Sequence, residues 1–285
     1  MDGAESDGPL ILVVGQRRTG KTSLVRTVLA ESGLPNVWLD AHAFAELPTL
    51  KKGSLLVILE RELNNVVRRE KKWRKKLFEA LTGVRWLRIN SKPPWIHFEW
   101  ERTDRDFDVL DLIHSFNTLA RENGTRFVLV FDEAQEFRKM KGYSLQALMS
   151  YIYDNLDSVQ MIVTGSQFGF LYSFLGIGNP ESSLYGRGAI EIKAPRVSRE
   201  LAKGFLEEGF RQAGITPVPA IIDSAIEKLD GVMGWLTLFG SRSVELGSCS
   251  EEALSETIEK GSKLTLQEFY HFLRLRKGAE RRYVQ

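Results

Sequence analysis

Apolar positions along this chain follow two rhythms. Short apolar runs at Leu10–Val14, Val37–Asp40, Arg126–Phe131 and Gln160–Thr164 predict strands, with Arg187–Ile192 as a last candidate before Pro195. The run ending at Phe131 shows no alternation at all, the pattern of a strand buried on both faces. Between these runs, helices are predicted over Thr22–Glu31, Phe107–Arg121 and Leu145–Leu156. The middle one carries a stripe at Val109, Leu110, Leu112, Ile113, Phe116 and Leu119. Strands alternating with helices predict an α/β fold, a parallel sheet covered on both faces. After Pro195 the pattern is helical only: Ser198 caps a helix with Phe205, Leu206 and Phe210 on its apolar side, and Val218–Leu229 and Trp235–Glu245 flank Gly231-Val232-Met233-Gly234. The expected division is therefore an α/β domain over 1–194 and a helical domain with a basic tail over 195–285.

Residues 41–106 form an insert between the second strand and the helix before the third. Leu55, Leu59, Leu63, Val66 and Val67 lead into Arg68-Arg69-Glu70-Lys71-Lys72-Trp73-Arg74-Lys75-Lys76, a basic run of helical spacing. Trp86, Leu87 and Ile89, then Ile96, Phe98 and Trp100 beyond Pro93-Pro94, alternate as a β-hairpin does. The basic run has two readings: a surface for nucleic acid or an acidic partner, with Trp73 stacking on a base, or a wet helix face with Trp73 in the core.

The chemistry lies at the ends of two of these strands. Gly15-Gln16-Arg17-Arg18-Thr19-Gly20-Lys21-Thr22-Ser23 has the spacing G-x-x-x-x-G-K-[ST], a loop whose backbone N–H groups turn inward around phosphate oxygens at a helix start. Gly15 and Gly20 are expected to permit that turn. Lys21 would reach the β and γ phosphates and Thr22 would offer its hydroxyl to Mg²⁺. Arg17 and Arg18 have three readings: phosphate contact, contact with a neighbouring subunit, or an outward orientation. The buried strand ending in Asp132-Glu133 supplies the second half, with Asp132 for Mg²⁺ and Glu133 to polarise the attacking water. Its plainer reading is a helix N-cap for the segment starting at Ala134.

Charge changes little, since 39 basic and 37 acidic residues leave a formal net charge of +2 and no global pull toward a polyanion. The single Cys249 cannot form an internal disulfide and no apolar run approaches a bilayer span, so a cytoplasmic protein without membrane partners is expected. Met1–Gly8 is acidic and Gly-containing, unlike a signal peptide.

Four signatures in order, the loop at 15–24, Asp132-Glu133-Ala134-Gln135, Thr164-Gly165-Ser166 and Ser183-Leu184-Tyr185-Gly186-Arg187, resemble the archaeal ATPase family within the AAA+ and STAND branches of P-loop NTPases. The resemblance spans about residues 10–245. It implies strand order 5-1-4-3-2, ATP or ADP with Mg²⁺ as ligands, and a small helical lid over the nucleotide base. It also implies that Thr164 or Ser166 serves as a sensor of the γ-phosphate or the attacking water, where an ordinary strand-to-loop turn is the alternative. Arg187 would be an arginine finger, acting within one chain or toward a neighbour, or else an ion-pair partner of Glu181 or Glu191. Family members commonly have Pro in the glycine turn that here holds Val232 and Met233, an acidic-aromatic box before the first strand, and a winged-helix domain after the lid. Here the chain is expected to lack that last domain, with Arg274, Arg276, Lys277, Arg281 and Arg282 closing it. The expectation is an ATP-hydrolysing conformational switch with a homo-oligomer or protein client as partner. The alternative is a nucleic-acid-associated, ATP-dependent module using the basic insert. A small-molecule kinase is disfavoured, because Glu133 suits water activation and no acceptor-site motif is present.

Overall fold

The computed structural model describes residues 8–44, 47–69, 71–98, 109–166 and 168–275. The chain divides into two compact units, Met1–Arg17 with Lys21–Ala194, and Arg18–Gly20 with Pro195–Gln285.

The first unit runs β1 (Leu10–Val14), α1 (Lys21–Ser32), β2 (Asn36–Asp40), α2 (Lys52–Arg69), α3 (Lys71–Leu81), β3 (Leu87–Ile89), β4 (Ile96–Phe98), α4 (Val109–Glu122), β5 (Phe127–Asp132), α5 (Leu145–Asn155), β6 (Val159–Gly165), α6 (Phe168–Leu175) and β7 (Ile190–Lys193). The main sheet has order β2-β5-β6-β1-β7, every pair parallel. Counting its five strands alone in chain order, this is the expected 5-1-4-3-2. Alternation of side chains divides each strand between two cores. Phe127, Leu129 and Phe131 of β5 enter the larger core with Leu12, Val14, Val37 and Leu39, while Val128 and Val130 meet Val13, Trp38, Ile162 and α1's Val25 and Leu29 on the other face. Burial on both faces is why these strands read as unbroken apolar runs.

The insert shares the larger core. Leu55, Leu59, Leu63 and Val67 of α2, Leu77 and Leu81 of α3, and Ile96 and Phe98 of the hairpin all belong to it. A two-stranded hairpin alone is marginal, and α2 holds this one by its edge. Asn64 donates to the Ile96 carbonyl (2.7 Å) and accepts from its N–H (3.0 Å), and Glu60 accepts from the Phe98 N–H (2.8 Å). The basic run falls on the last turn of α2 and the start of α3. Trp73 is 5% exposed and donates its indole N–H to the Gly33 carbonyl at 3.2 Å, so the ring is not free to stack on a base.

The last strand begins at Ile190, three residues later than the sequence pattern suggests, because Ser183–Gly186 forms turns and residues 187–189 are irregular. α6 has no counterpart among the elements read from the sequence. Its run Phe168–Leu175 is almost wholly apolar and carries no helical stripe. Glu70, Trp100, Phe107, the N-terminal residues 1–7 and the basic residues Arg276, Lys277, Arg281 and Arg282 lie outside the described residues.

The second unit is helical: α7 (Arg199–Gln212), α8 (Pro219–Leu229), α9 (Met233–Leu246) and α10 (Glu251–Leu275). Leu206, Phe210, Ile222, Leu229, Leu236, Phe239 and Leu254 form its core. Ser198 caps α7 by accepting from the Leu201 N–H, as its position before the apolar stripe predicts. Cys249 is buried in this core, and burial pushes its thiol pKa up, the state of a packed and unreactive cysteine. Among the described residues no helix is long and apolar enough to cross a membrane.

Candidate nucleotide-binding site

Parallel strands deliver their carboxyl ends to one edge of the sheet, and register decides which side chains meet there. Val14 pairs with Gly165 and Asp40 with Asp132, so the phosphate-loop entrance, the Asp132-Glu133 pair and the Thr164–Ser166 segment all emerge side by side. α1 starts at Lys21, directly after the loop. The left-handed residues of the loop are Gly20 (φ 85°) and Arg18 (φ 68°); Gly15, expected to need that freedom, does not use it. Gly15 and Thr19 are buried, Gln16 and Ser23 are exposed, and Arg17 is half-buried. Within the second unit, to which Arg18–Gly20 belong, the Arg18 guanidinium lies 4.2 Å above the Trp235 ring and donates to Glu268 at 3.1 Å.

Lys21 is 5% exposed. Its ammonium donates to the carbonyls of Gly15 (3.1 Å) and Gln16 (2.8 Å). Burial lowers its pKa, while the Glu133 and Asp132 carboxylates push it back up. Asp132 is 4% exposed. Burial raises its pKa, and hydrogen bonds from Thr164 and Thr22 draw it down again. Asp40, its neighbour in register, adds like charge. Thr22 Oγ1 lies 3.1 Å from both Asp132 oxygens and donates to one of them. Thr164 is fully buried. Its hydroxyl donates to Asp132 and accepts from the Glu133 N–H at 3.1 Å.

Glu133 has a left-handed backbone (φ 50°, ψ 47°) and makes no side-chain cap to the 3₁₀ turn Ala134–Lys139, which removes the N-cap reading. Its Oε2 accepts from Ser166 Oγ at 2.8 Å and from Gln135 Nε2 at 2.5 Å. Thr164 and Ser166 thus bind the two carboxylates, one each. Sequence reasoning named every member of this cluster except Gln135 and Asp40. Gln135 stood in the quoted motif without a role, and Asp40 could be found only as an acidic residue closing a strand next in register.

Arg187 makes its hydrogen bonds outside the cluster. Its guanidinium forms a two-pronged pair with Asp154, Nε at 2.9 Å and Nη2 at 2.5 Å, and also donates to the Ser183 carbonyl. The ion-pair reading thus holds with a different partner. Glu191 instead accepts from Tyr172 at 2.5 Å, and Glu181 makes its bond through its N–H to Asn179. Asp154 lies in the last turn of α5, a helix whose position against the Ser183–Arg187 turn no local pattern reveals.

A buried lysine whose donors rest on loop carbonyls, beside a hydroxyl and two carboxylates, fits a nucleoside triphosphate and a hard divalent cation. The oxygens of Thr22 and Asp132, 3.1 Å apart, are of the kind that could hold Mg²⁺ alongside phosphate oxygens and water. No cluster of three or more His, Cys, Asp or Glu suited to holding a metal by itself occurs among the described residues. Fold and site together define a P-loop nucleotide-binding protein. The profile of the AAA ATPase domain matches residues 2–158, and the chain belongs to that family, whose general activity is ATP binding and hydrolysis. The Walker-type ATPase PABY2304 of Pyrococcus abyssi is similar at 30% identity and a TM-score of 0.74, over 95% of this chain and 72% of that one. The ORC2 protein of Aeropyrum pernix, solved in ADPNP and ADP complexes, matches at 12% identity and TM-score 0.49, over 89% of this chain and 62% of its own. The RuvB Holliday junction branch migration motor of Thermotoga maritima matches at 12% and 0.46, over 88% and 61%. No curated protein sequence matches the chain.

Proposed function

We propose that the protein is a Mg²⁺-dependent ATPase that serves as a nucleotide-dependent conformational switch. The supporting observation is the cluster at the sheet edge, in which Thr22, Asp132, Glu133, Thr164 and Ser166 are joined by hydrogen bonds and Lys21 feels both carboxylates, although they come from three separate stretches of chain. In this reading Lys21 exchanges its two carbonyl partners for β and γ phosphate oxygens, a gain for a cation whose burial already disfavours its charge. Gly15, Gln16, Arg17, Arg18, Thr19, Gly20 and Ser23 form the rest of the phosphate cradle. Thr22 and Asp132 hold Mg²⁺, which neutralises phosphate charge when bound. Glu133 accepts a proton from the attacking water as that oxygen bonds to the γ-phosphorus and the bond to the ADP oxygen breaks. Thr164 and Ser166 relay the state of the γ-phosphate to the two carboxylates they bond. Arg187 is the finger, and its pair with Asp154 opens when it engages phosphate in its own chain or in a neighbouring subunit of a homo-oligomer.

The deciding experiment is Mg²⁺-dependent ATP binding and hydrolysis by the wild type beside Lys21→Ala and Glu133→Gln. Binding lost in the first, and binding kept with turnover lost in the second, is the expected result. A folded wild type that binds no nucleotide would overturn the reading. If Arg187 acts across subunits, mixing Arg187→Ala with Glu133→Gln restores part of the activity; no recovery in confirmed oligomers assigns it to its own chain.

The nucleic-acid reading keeps one supporting observation, the exposure of Arg68, Arg69, Lys71, Lys72, Lys75 and Lys76 on consecutive helical turns. It requires salt-sensitive DNA or RNA binding that falls when Lys71, Lys72, Lys75 and Lys76 are neutralised. Binding unchanged by that substitution removes it.

A further inference from the structure

We propose that Gln135 is a positioning residue for Glu133: its side-chain amide, together with Ser166, clamps one carboxylate oxygen and leaves the other to receive the proton of water. The inference rests on the reading of Glu133 as the group that directs water, and adds a residue to which nothing in the motif assigns a task.

Four observations carry it. First, both donors converge on the same oxygen, Gln135 Nε2 at 2.5 Å and Ser166 Oγ at 2.8 Å from Oε2. Oε1 of Glu133 takes no bond among the described residues, and the residue is half-buried, so one oxygen is fixed while the other stays available. Second, the Glu133 backbone sits in the left-handed region without being glycine. Such a conformation persists where surrounding contacts over-determine it. Third, Gln135 is fully buried, and its own Oε1 is buried with no partner. An amide in that position costs stability that an aliphatic side chain of equal length would not, so packing alone does not call for it. Fourth, the neighbouring strand end is shaped around the amide. A Cβ on Gly165 would stand 2.8 Å from Gln135 Oε1 and 2.8 Å from Leu171 Cδ2, so a glycine there makes the room. The need at Gly165 is space, since its φ is not in the left-handed region.

A carboxylate that acts as a base must present one oxygen in one direction at the moment of attack, and a misplacement of about 1 Å is worth as much as a hundredfold in rate. The clamp supplies that restraint through two bonds to one oxygen, Oε2. The test uses the full chain with Gln135→Leu and the Glu133→Gln control. Gln135→Leu keeps the volume and loses the donor; kcat should fall about ten- to hundredfold with KM and nucleotide Kd unchanged and Tm equal to or above wild type. A purely structural role would instead lower kcat together with stability or nucleotide affinity. A folded Gln135→Leu protein with wild-type kcat, or one whose kcat falls only alongside Tm or nucleotide affinity, overturns the inference. If Glu133→Gln itself turns over normally, the underlying reading fails. If Glu133→Gln is inactive while Gln135→Leu is normal, only the clamp fails.

Discussion

The sheet edge and the α2–α3 insert bury opposite things. At the edge, Lys21, Asp132, Thr164 and Gln135 are each below a tenth exposed and spend their hydrogen bonds largely on one another and on the loop. In the insert, the charges of Arg68, Arg69, Lys71, Lys72, Lys75 and Lys76 are exposed while Trp73, Leu77 and Leu81 are buried beneath them. Lys72 and Lys76 lie over the Trp73 ring, at 5.3 and 5.2 Å, covering apolar surface with their stems. The insert has more charge, yet the edge holds the charge that needs a reason. A buried cation and a buried carboxylate are costly without a ligand, whereas exposed lysines cost nothing.

That contrast can be broken at several points. The largest effect is expected at Trp73→Ala, which empties a core site and should destabilise the protein by about 3–5 kcal/mol in chemical denaturation, with ATP turnover per folded molecule unchanged. Lost turnover without lost stability would give the insert a direct catalytic part. Next, Lys21→Ala should weaken ATP about a hundredfold by calorimetry while leaving stability near wild type; equal affinity would mean that the buried cation has another purpose. Asp132→Asn tests the cost of buried charge. The folded-state pKa of Asp132 is raised above 3.8, so the stability contributed by its protonated form is present below that value and is lost as pH rises through the raised value. The nucleotide-free Asn variant should therefore melt above wild type at pH 7, with the gap closing as pH falls below 3.8. A lower melting temperature for the variant at pH 7 would show the ionised carboxylate to be stabilising there. Asp154→Ala releases Arg187, and a modest rise in turnover is expected if the finger must leave its partner; a fall would show that the pair organises the active form. The smallest effect is that of Lys71, Lys72, Lys75 and Lys76 changed together to Gln, within about 0.5 kcal/mol of wild-type stability.

Local pattern made most of this legible. The loop at 15–23, the strand closing in Asp132-Glu133 and the cap at Ser198 are each written in consecutive residues, because the physical requirement there is local: a tight turn, a buried strand, an N–H in need of an acceptor. The insert was half legible. Its hairpin alternation shows in the sequence, but that α2 holds the hairpin through Asn64 and Glu60 depends on residues 32 to 38 positions apart. α6 stayed hidden, since an apolar run without polar positions carries no period.

By itself the sequence determined the class of chemistry, through residue types that a nucleotide-binding loop requires at fixed spacing, and the α/β character, through the apolar rhythm. Which atoms meet was decided only by tertiary structure. Parallel register sets Asp40 beside Asp132 and Phe131 beside Val163, so the next residues of those strands lie side by side and Thr164 and Ser166 each reach a different carboxylate. The missing Cβ of Gly165 admits Gln135, and Arg187 turns to Asp154 instead of Glu181 or Glu191. The reason is physical: a hydrogen bond between residues more than thirty positions apart exists only once strands have paired, and nothing in the local sequence encodes the distance.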